Sequence, residues 1–117
     1  MKLWVDDIRP APIGWYWAKN FEQAVKLFQS YKITHASLDH DLAPEHYVEN
    51  AETKEKTGYD LINWMERFKI WPSESCVVHS LNPVGARRMA EVIARHYECR
   101  VDQILKPFNF EESRKIF

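Results

Sequence analysis

MKLWVDDIRP (residues 1–10) joins a short apolar run to two adjacent carboxylates. Leu3, Trp4 and Val5 are typical of a strand buried on both faces, and Asp6 and Asp7 follow them directly. Two like charges at the end of a buried strand repel each other and resist desolvation. The stretch therefore predicts a strand whose end carries a function that needs clustered negative charge.

Similar apolar runs recur along the chain and alternate with patterns of helical periodicity. The predicted strands cover residues 2–6, 15–18, 33–39, 75–80 and 101–106. Asn20, Thr57 and Asn82 are typical caps for the three helices between them. Alternating strands and helices form parallel sheets covered on both faces. We expect a single α/β domain over residues 1–117, with a doubly wound, five-stranded parallel sheet.

Two segments depart from this alternation. The first connection contains Pro10, Pro12 and Gly14, so a proline loop replaces the expected crossover helix. One sheet face should then be under-covered, and Trp15, Trp17, the loop or a second copy of the chain would cover it. The polar segment 43–56 is long for a connection, and such loops are usually lids or disordered.

Composition and charge argue against two classes of protein, the nucleic-acid binders and the membrane-spanning proteins. The 117 residues carry 16 Lys and Arg against 17 Asp and Glu, a formal net charge of −1, whereas nucleic-acid binders of this size are usually basic. No uncharged apolar run reaches the ~18 residues of a membrane span. With no secretory signal upstream, we interpret Cys76 and Cys99 as reduced thiols of a cytoplasmic protein.

Polar side chains gather where the predicted strands end. In an open parallel sheet these carboxyl ends share one edge, where ligands bind. The residues there are Asp6, Asp7, Asp39, His40, Asp41, His79, Ser80, Asn82 and Lys106. Clustered carboxylates suit Mg²⁺, which also binds phosphate oxygens, and a lysine supplies a point charge for an anion. The pattern predicts a metal held beside a phosphoryl group.

The segments VDD, SLDHDL, VVHS and LKP also occur in the order and spacing of a response-regulator receiver domain, which this chain resembles over most of its length. The resemblance implies the sheet order 2-1-3-4-5. It implies that Asp6, Asp7 and Asp39 bind Mg²⁺ and that Asp39 accepts a phosphoryl group. It further implies that Ser80 and Lys106 contact that group.

The departures from a plain receiver make the chain more similar to a divergent branch, the cyclic-phosphate processing receiver domains. They are the proline loop, the 43–56 insert, a short final helix, and His79 where receivers usually carry an aliphatic residue. This similarity implies an enzyme acting on a phosphorylated small molecule. The assigned residues are Asp39, His79 and Lys106 as catalytic, Arg9, Ser80, Asn82 and Lys106 as phosphate-binding, and Asp6, Asp7 and Asp39 as metal ligands.

Several alternatives stay open at this point. Hydrophobic phasing favours Asp39 over Asp41 as the strand-end carboxylate. His79 is equally well explained as a general acid or base and as a hydrogen-bonded core residue. Arg9 can clamp a phosphate or pair with Asp6 or Asp7.

Alternative interpretations also apply to the polar loop, to the helix cap at Asn82 and to the function of the protein. His40, Asp41 and His46 give weak support to a transition-metal site, and a solvated loop explains them better. Asn82 is most simply a helix cap. The alternative functions are a receiver switch that takes phosphate from a phosphodonor, and a degenerate receiver serving as an interaction module. The under-covered sheet face would serve as the contact of a homodimer.

Overall fold

The computed structural model describes residues 1–42 and 56–106, and its strands form one parallel sheet. The strands are β1 (Lys2–Val5), β2 (Tyr16–Ala18), β3 (His35–Leu38) and β4 (Ser75–Val78). Their order in the sheet is β2-β1-β3-β4, with every neighbouring pair parallel. The predicted α/β parallel sheet is confirmed, and its four strands follow the order that a receiver domain has.

Helices follow the strands as their caps predict. They are α1 (Phe21–Ser30), α2 (Gly58–Phe68), α3 (Pro83–Tyr97) and the short α4 (Val101–Ile104). Asn20 Oδ1 accepts from Gln23 N at 2.9 Å, and Asn82 Oδ1 accepts from Gly85 N at 3.0 Å. Thr57 and Asp60 form a reciprocal capping box. All three predicted helix starts are therefore confirmed, and none of the described helices is long and apolar enough to cross a membrane.

The hydrophobic core lies between helices α1, α2 and α3 and one face of the sheet. Alternate strand residues reach this face because successive side chains of a strand point to opposite sides. The strand residues in the core cluster are Leu3, Val5, Ala18, Ala36, Leu38, Cys76 and Val78. Leu61, Ile62, Met65, Met89, Ala90 and Ile93 pack against them from α2 and α3. These contacts fix the strand ends relative to one another, which is what the site requires.

The predicted fifth strand is not confirmed. Residues 101–104 form helix α4 instead, and within the described part of the chain only Leu105 pairs with the sheet, through an isolated parallel bridge to Val78. Arg100 N donates to Gln103 Oε1 at 2.9 Å, which favours a helical turn over an extended chain. Val101, Ile104 and Leu105 have the i, i+3, i+4 spacing of a helix, but three apolar positions in so short a segment did not exclude a strand from the sequence alone.

The opposite sheet face is only partly covered by the described residues, as the proline loop predicts. Trp15 follows the loop and meets the ring of Trp4 edge-on, with centroids 6.4 Å apart. Beside it lies a cavity of about 430 Å³ lined by Lys2, Trp15, His35, Ser75, Val77, Gln103 and Lys106. The long polar loop and the predicted final helix fall almost wholly on residues 43–55 and 107–117, which lie outside the described residues.

Gly58 begins α2 against the backbone of Asp39 and gives the first testable prediction. A Cβ at this position would overlap the carbonyl oxygen of Asp39 and lie 2.9 Å from Met89 Cε. We expect Gly58→Ala to lower the free energy of unfolding by about 1–3 kcal/mol, as overpacking does. Helix propensity alone would favour alanine by up to ~1 kcal/mol. Urea denaturation measures the difference, and unchanged or raised stability would mean that the backbone at Asp39 yields without cost.

Candidate active site at the carboxyl ends of the strands

The ends of β1, β3 and β4 align at one edge of the sheet. The ladder of backbone hydrogen bonds continues one residue past each strand. Asp6 N donates to Ala18 O, Asp39 N to Val5 O and His79 N to Leu38 O, at 2.9–3.0 Å. Three polar residues predicted from separate segments are thus held side by side by the sheet itself.

Asp6 is fully buried and its carboxylate is saturated with donors. Oδ1 accepts from the backbone N–H groups of Ile8 and Arg9 at 2.9 and 2.8 Å. Oδ2 accepts from Arg9 Nε at 2.7 Å and from His79 Nε2 at 3.0 Å. A carboxylate offers about four lone-pair sites, so each acceptor site of Asp6 has a donor.

The turn after β1 is held by two tryptophan side chains. Trp17 Nε1 donates to the carbonyl of Asp6 at 2.6 Å. Trp4 Nε1 donates to the carbonyl of Arg9 at 2.9 Å. The aromatic residues around the acidic pair therefore do more than cover the sheet face, because they also fix the backbone that presents Asp6 and Arg9.

Asp39 brings the second strand end into the same cluster. One carboxylate oxygen from each of Asp6, Asp7 and Asp39 lies within 4.8 Å of the other two. Asp6 and Asp39 are buried, whereas Asp7 is half-buried. Among the described residues this is the group of acidic, histidine or cysteine side chains arranged to hold a metal ion. The structure thus places Asp39, rather than Asp41, beside the acidic pair.

Arg9 lies between the two buried carboxylates. Its Nε contacts Asp6 Oδ2 at 2.7 Å and its Nη2 contacts Asp39 Oδ2 at 2.8 Å. The side chain is 14% exposed. Of the two sequence readings of Arg9, pairing with the acidic residues is the arrangement observed, and the partners are Asp6 and Asp39. Such forked, charge-assisted contacts are stronger than hydrogen bonds between neutral groups.

The two buried carboxylates differ in pKa. Burial and the charge of Asp6 raise the pKa of Asp39 to about 7, although Arg9 and the hydroxyl of Ser80 oppose the shift. Burial also works against ionisation of Asp6. Hydrogen bonds from His79, Arg9 and Ile8 outweigh that effect and hold the pKa of Asp6 below its usual range. Asp6 is therefore the charged partner of Arg9, and Asp39 titrates near neutral pH.

His79 lies behind the acidic cluster, inside the protein. Its ring stacks on Trp4 with centroids 3.7 Å apart, and its side chain is 1% exposed. Because a carboxylate only accepts, Nε2 donates to Asp6, and Nδ1 then accepts from Ser37 Oγ at 2.7 Å. Burial lowers the pKa of His79 despite the contact with Asp6. This geometry matches the hydrogen-bonded core reading of His79, and its catalytic role stays a prediction.

His40, Asp41 and Asn82 form a second polar group on the same edge, which was not recognised as one group from the sequence. His40 Nδ1 lies 2.9 Å from Asp41 Oδ1, and Asn82 Nδ2 donates to the same oxygen at 3.4 Å. Gly85, in the first turn of α3, leaves room for the imidazole, because a Cβ there would overlap the His40 ring. Two sequence features could have indicated this group: the adjacent His40 and Asp41 after β3, and a glycine in the first turn of α3.

His40 lies at this edge with one side of its ring packed against the first turn of α3. Nδ1 must donate to the carboxylate of Asp41, which leaves Nε2 as the ring nitrogen without a hydrogen-bond partner among the described residues. No buried side-chain nitrogen or oxygen among the described residues lacks a hydrogen-bond partner, and no described partner contacts Nε2. The side chain is 15% exposed. Unlike His79, His40 can meet a ligand at this edge.

The predicted phosphate-binding residues fall into two places. Ser80 lies close enough to Asp39 for its hydroxyl to lower the pKa of that carboxyl, and its Oγ accepts from Asn82 N at 3.1 Å, which places it beside the acidic cluster. Asn82 uses its side-chain oxygen to cap α3, so the cap interpretation is confirmed. Lys106 N donates to Val78 O at 2.8 Å, but its side chain lines the cavity on the open sheet face. Within the described residues Lys106 forms no ion pair.

The donor set fits a hard divalent cation. Such ions take carboxylate oxygens, and Mg²⁺ is commonly held by one or two carboxylates together with phosphate oxygens. The cluster already attracts positive charge, since the cationic side chain of Arg9 contacts both Asp6 and Asp39. Asp7 adds a half-buried carboxylate on the side open to solvent.

Comparison with known proteins identifies the family. The family model described as cyclic-phosphate processing receiver domain matches residues 1–95, which include every predicted site residue except Lys106. Neither the curated proteins nor the solved structures contain a match to the chain. The matched region is about four fifths of the chain and spans the whole sheet with its acidic cluster. The chain therefore belongs to the cyclic-phosphate processing receiver domain family.

Proposed function

We propose that the protein is a magnesium-dependent phosphoesterase that hydrolyses a cyclic phosphate ester on a small molecule. The observation that carries the proposal is the convergence of Asp6, Asp7 and Asp39 within 4.8 Å at the carboxyl edge of the sheet. Membership of a cyclic-phosphate processing family supports the substrate class. Fold alone would not, because one fold hosts many chemistries.

Three carboxylates would hold the ion, Asp6 and Asp7 from the end of β1 and Asp39 from the end of β3. Asp6 and Asp39 supply buried oxygens and Asp7 supplies one nearer to solvent. When bound, Mg²⁺ neutralises phosphate oxygens and helps the phosphorus accept a nucleophile. The residues around it fix the orientation of these ligands, since Asp6 is held by four hydrogen bonds and Asp39 by those from His40 N and Arg9.

The phosphate would lie over the start of α3. Ser80 offers a hydroxyl next to Asp39, and the 15-residue helix α3 begins shortly after the end of β4. Pro83 has no N–H and the N–H groups of Gly85 and Ala86 are bonded to Asn82, so it is the positive end of the helix dipole that favours an anion there. Lys106 lies on the neighbouring sheet face and supplies positive charge from that side. Asn82 orients this helix start through its cap.

Hydrolysis of a cyclic phosphate forms one P–O bond to the oxygen of water and breaks one P–O bond of the ring. The water loses a proton and the departing ring oxygen gains one. We assign proton transfer to His40, because its side chain is partly exposed and its Nε2 has no partner among the described residues, while Asp41 holds Nδ1. In this assignment His79 is a positioning residue that holds Asp6 from inside the protein.

The phosphoacceptor alternative is less well supported by the geometry. A receiver switch needs a carboxylate oxygen of Asp39 open to a phosphodonor. The Asp39 side chain is 1% exposed, and both of its oxygens accept hydrogen bonds. Hydrolysis needs Asp39 only as a metal ligand, so the carboxylate can stay buried once Arg9 gives up Oδ2 to the ion.

Location and assembly stay predictions from the sequence. Cys76 is buried and its thiol pKa is raised by burial, which suits an unreactive reduced thiol of a cytoplasmic protein. A homodimer through the open sheet face would cover Trp15 and the lining of the adjacent cavity.

Phosphorus NMR tests the proposal directly. The protein is incubated with MgCl₂ and a panel of 2′,3′-cyclic nucleotides, 3′,5′-cyclic nucleotides and cyclic sugar phosphates, with acetyl phosphate in a parallel tube. We expect one cyclic resonance to be replaced by that of a phosphomonoester, and EDTA to prevent this. An acyl phosphate that forms on Asp39 without any turnover would instead establish the switch.

Asp7→Asn gives the second prediction, since Asp7 is the most accessible of the three carboxylates. Losing one charged ligand should raise the Mg²⁺ concentration needed for half-maximal activity by about tenfold, or roughly 1.4 kcal/mol. The control is Asp102→Asn, which makes the same change at an exposed ion pair with Arg100. If both variants need the same Mg²⁺ concentration as the wild type, Asp7 is not a ligand.

A further inference from the structure

Arg9 and a metal ion need the same carboxylate oxygens. All the acceptor sites of Asp6 are filled, and Arg9 provides two of the four hydrogen bonds, one from its backbone and one from Nε. Arg9 Nη2 also contacts Asp39 Oδ2 at 2.8 Å. For Asp6 Oδ2 and Asp39 Oδ2 to serve as ligands, the guanidinium has to leave them.

The backbone of Arg9 is held by contacts that do not involve its side chain. Arg9 N donates to Asp6 Oδ1 and Arg9 O accepts from Trp4 Nε1, so the main chain is held on both sides. The side chain can then move about this anchored point without unfolding the turn. A guanidinium displaced from the carboxylates would remain near this edge of the sheet, because its backbone is anchored beside Asp6.

We propose that Arg9 is a two-position residue that couples cation binding to phosphate binding. In the first position, which the structure shows, Arg9 neutralises Asp6 and Asp39. In the second, a divalent cation takes its place on the carboxylates and the guanidinium binds a phosphate oxygen of the substrate. This inference rests on the proposed function for the metal and phosphate sites, and it adds the exchange between them.

Coupling of this kind has a distinctive signature. A residue that only clamps phosphate affects phosphate affinity alone, and a residue that only supports the turn weakens both ligands when it is lost. A two-position residue gives effects of opposite sign, because it competes with the cation and assists the anion. By linkage, the factor by which phosphate improves Mg²⁺ affinity equals the factor by which Mg²⁺ improves phosphate affinity.

The experiment measures two dissociation constants in the whole protein, using MgCl₂ and inorganic phosphate as probes. Isothermal titration calorimetry gives the Mg²⁺ constant without phosphate, and tryptophan fluorescence gives the phosphate constant at saturating Mg²⁺. Trp4 is a suitable reporter because its indole donates to the carbonyl of Arg9. The variants are Arg9→Gln, Arg9→Lys and the control Arg87→Gln, which removes one exposed positive charge paired with Glu91.

For Arg9→Gln we expect the Mg²⁺ dissociation constant to fall about tenfold and the phosphate constant to rise about tenfold. Arg9→Lys keeps the charge but lacks the fork that reaches two carboxylates, so its Mg²⁺ constant should fall about threefold. Arg87→Gln should leave both constants within about twofold of the wild type, since exposed pairs contribute little.

Two results would overturn the exchange. If Arg9→Gln and Arg9→Lys bind Mg²⁺ no more tightly than the wild type, Arg9 does not compete with the cation. If Arg9→Gln binds phosphate as well as the wild type does, the displaced guanidinium has no second position. Either result leaves the proposed hydrolysis standing, provided the wild type binds Mg²⁺ and turns over substrate. If every variant fails to bind Mg²⁺, the proposal of a metal site is wrong, and this inference is wrong with it.

Discussion

Asp39→Asn should make the protein more stable above neutral pH while abolishing its activity. Burial and the neighbouring charge of Asp6 raise the pKa of Asp39 to about 7 in the folded protein, against 3.8 for an ordinary aspartate. The folded state therefore holds the proton of Asp39 more tightly than the unfolded state does. The stabilisation from this protonated carboxyl is complete below pH 4 and is lost as the pH rises to about 7.

The size of the effect follows from the two pKa values. A difference of about three pH units corresponds to roughly 4 kcal/mol of unfolding free energy. Asparagine has the same shape but no charge, so its stability does not fall over this range. Its new amide group meets the donor Arg9 Nη2, which opposes part of the gain. We expect a net gain of about 1–3 kcal/mol at pH 8, with no gain at pH 4.

Urea denaturation with EDTA at pH 4, 6 and 8 measures this difference, with Asp102→Asn as the control because its side chain is 71% exposed. Saturating Mg²⁺ should reverse the order at pH 8, since a ligand that binds the folded state stabilises it and Asp39→Asn binds the ion less well. Turnover should fall by at least about 10³-fold, the scale for losing one charge-stabilising group. Equal stability of the two proteins at pH 8 in EDTA would mean that ionising Asp39 costs little.

The sheet and the acidic cluster could be predicted from the sequence because both depend on local patterns. Continuous apolar runs indicate buried strands, and Asp6, Asp7 and Asp39 follow such runs directly. Parallel pairing then brings strand ends together without further information. The helix starts at Asn20, Thr57 and Asn82 were predictable for the same reason, since caps are local.

The parts that could not be predicted depend on three-dimensional neighbours. Val101–Ile104 has a short apolar pattern that fits a strand or a helix, and the contact of Arg100 N with Gln103 favours the helix. Nothing in the spacing distinguishes Asp6 and Asp39 as the partners of Arg9. The relation of His40 to Gly85 joins residues 45 positions apart, and it exists only once α3 packs beside β3.

The two histidines at the site should respond to substitution in opposite ways. His79 is 1% exposed and its ring nitrogens contact Asp6 and Ser37. His79→Gln leaves at least one of these buried groups without a partner, so the free energy of unfolding should fall by about 1–3 kcal/mol. Turnover should fall only about 10–100-fold, as expected for a residue that orients a ligand.

His40→Gln should show the reverse pattern. The side chain is 15% exposed and hydrogen-bonded to Asp41, so the free energy of unfolding should fall by only about 0.5–1.5 kcal/mol, the cost of one hydrogen bond. Loss of a proton-transfer group should lower turnover about 10²–10⁴-fold. The loss should be smaller for a p-nitrophenyl phosphodiester, whose departing oxygen needs no proton.

Denaturation curves and turnover of each variant, measured side by side, decide between the two assignments, with His96→Gln as a control on the exposed stack with Trp71. If His79→Gln proves the more damaging to turnover at equal stability, the proton passes through the buried histidine, as the sequence first indicated. That result would require Asp6 to relay the proton, because Asp6 separates His79 Nε2 from the open edge of the site. The low pKa of Asp6 argues against such a relay, since a carboxyl that stays ionised is a poor proton carrier. His40 is therefore the residue at this edge whose geometry suits proton transfer to a substrate.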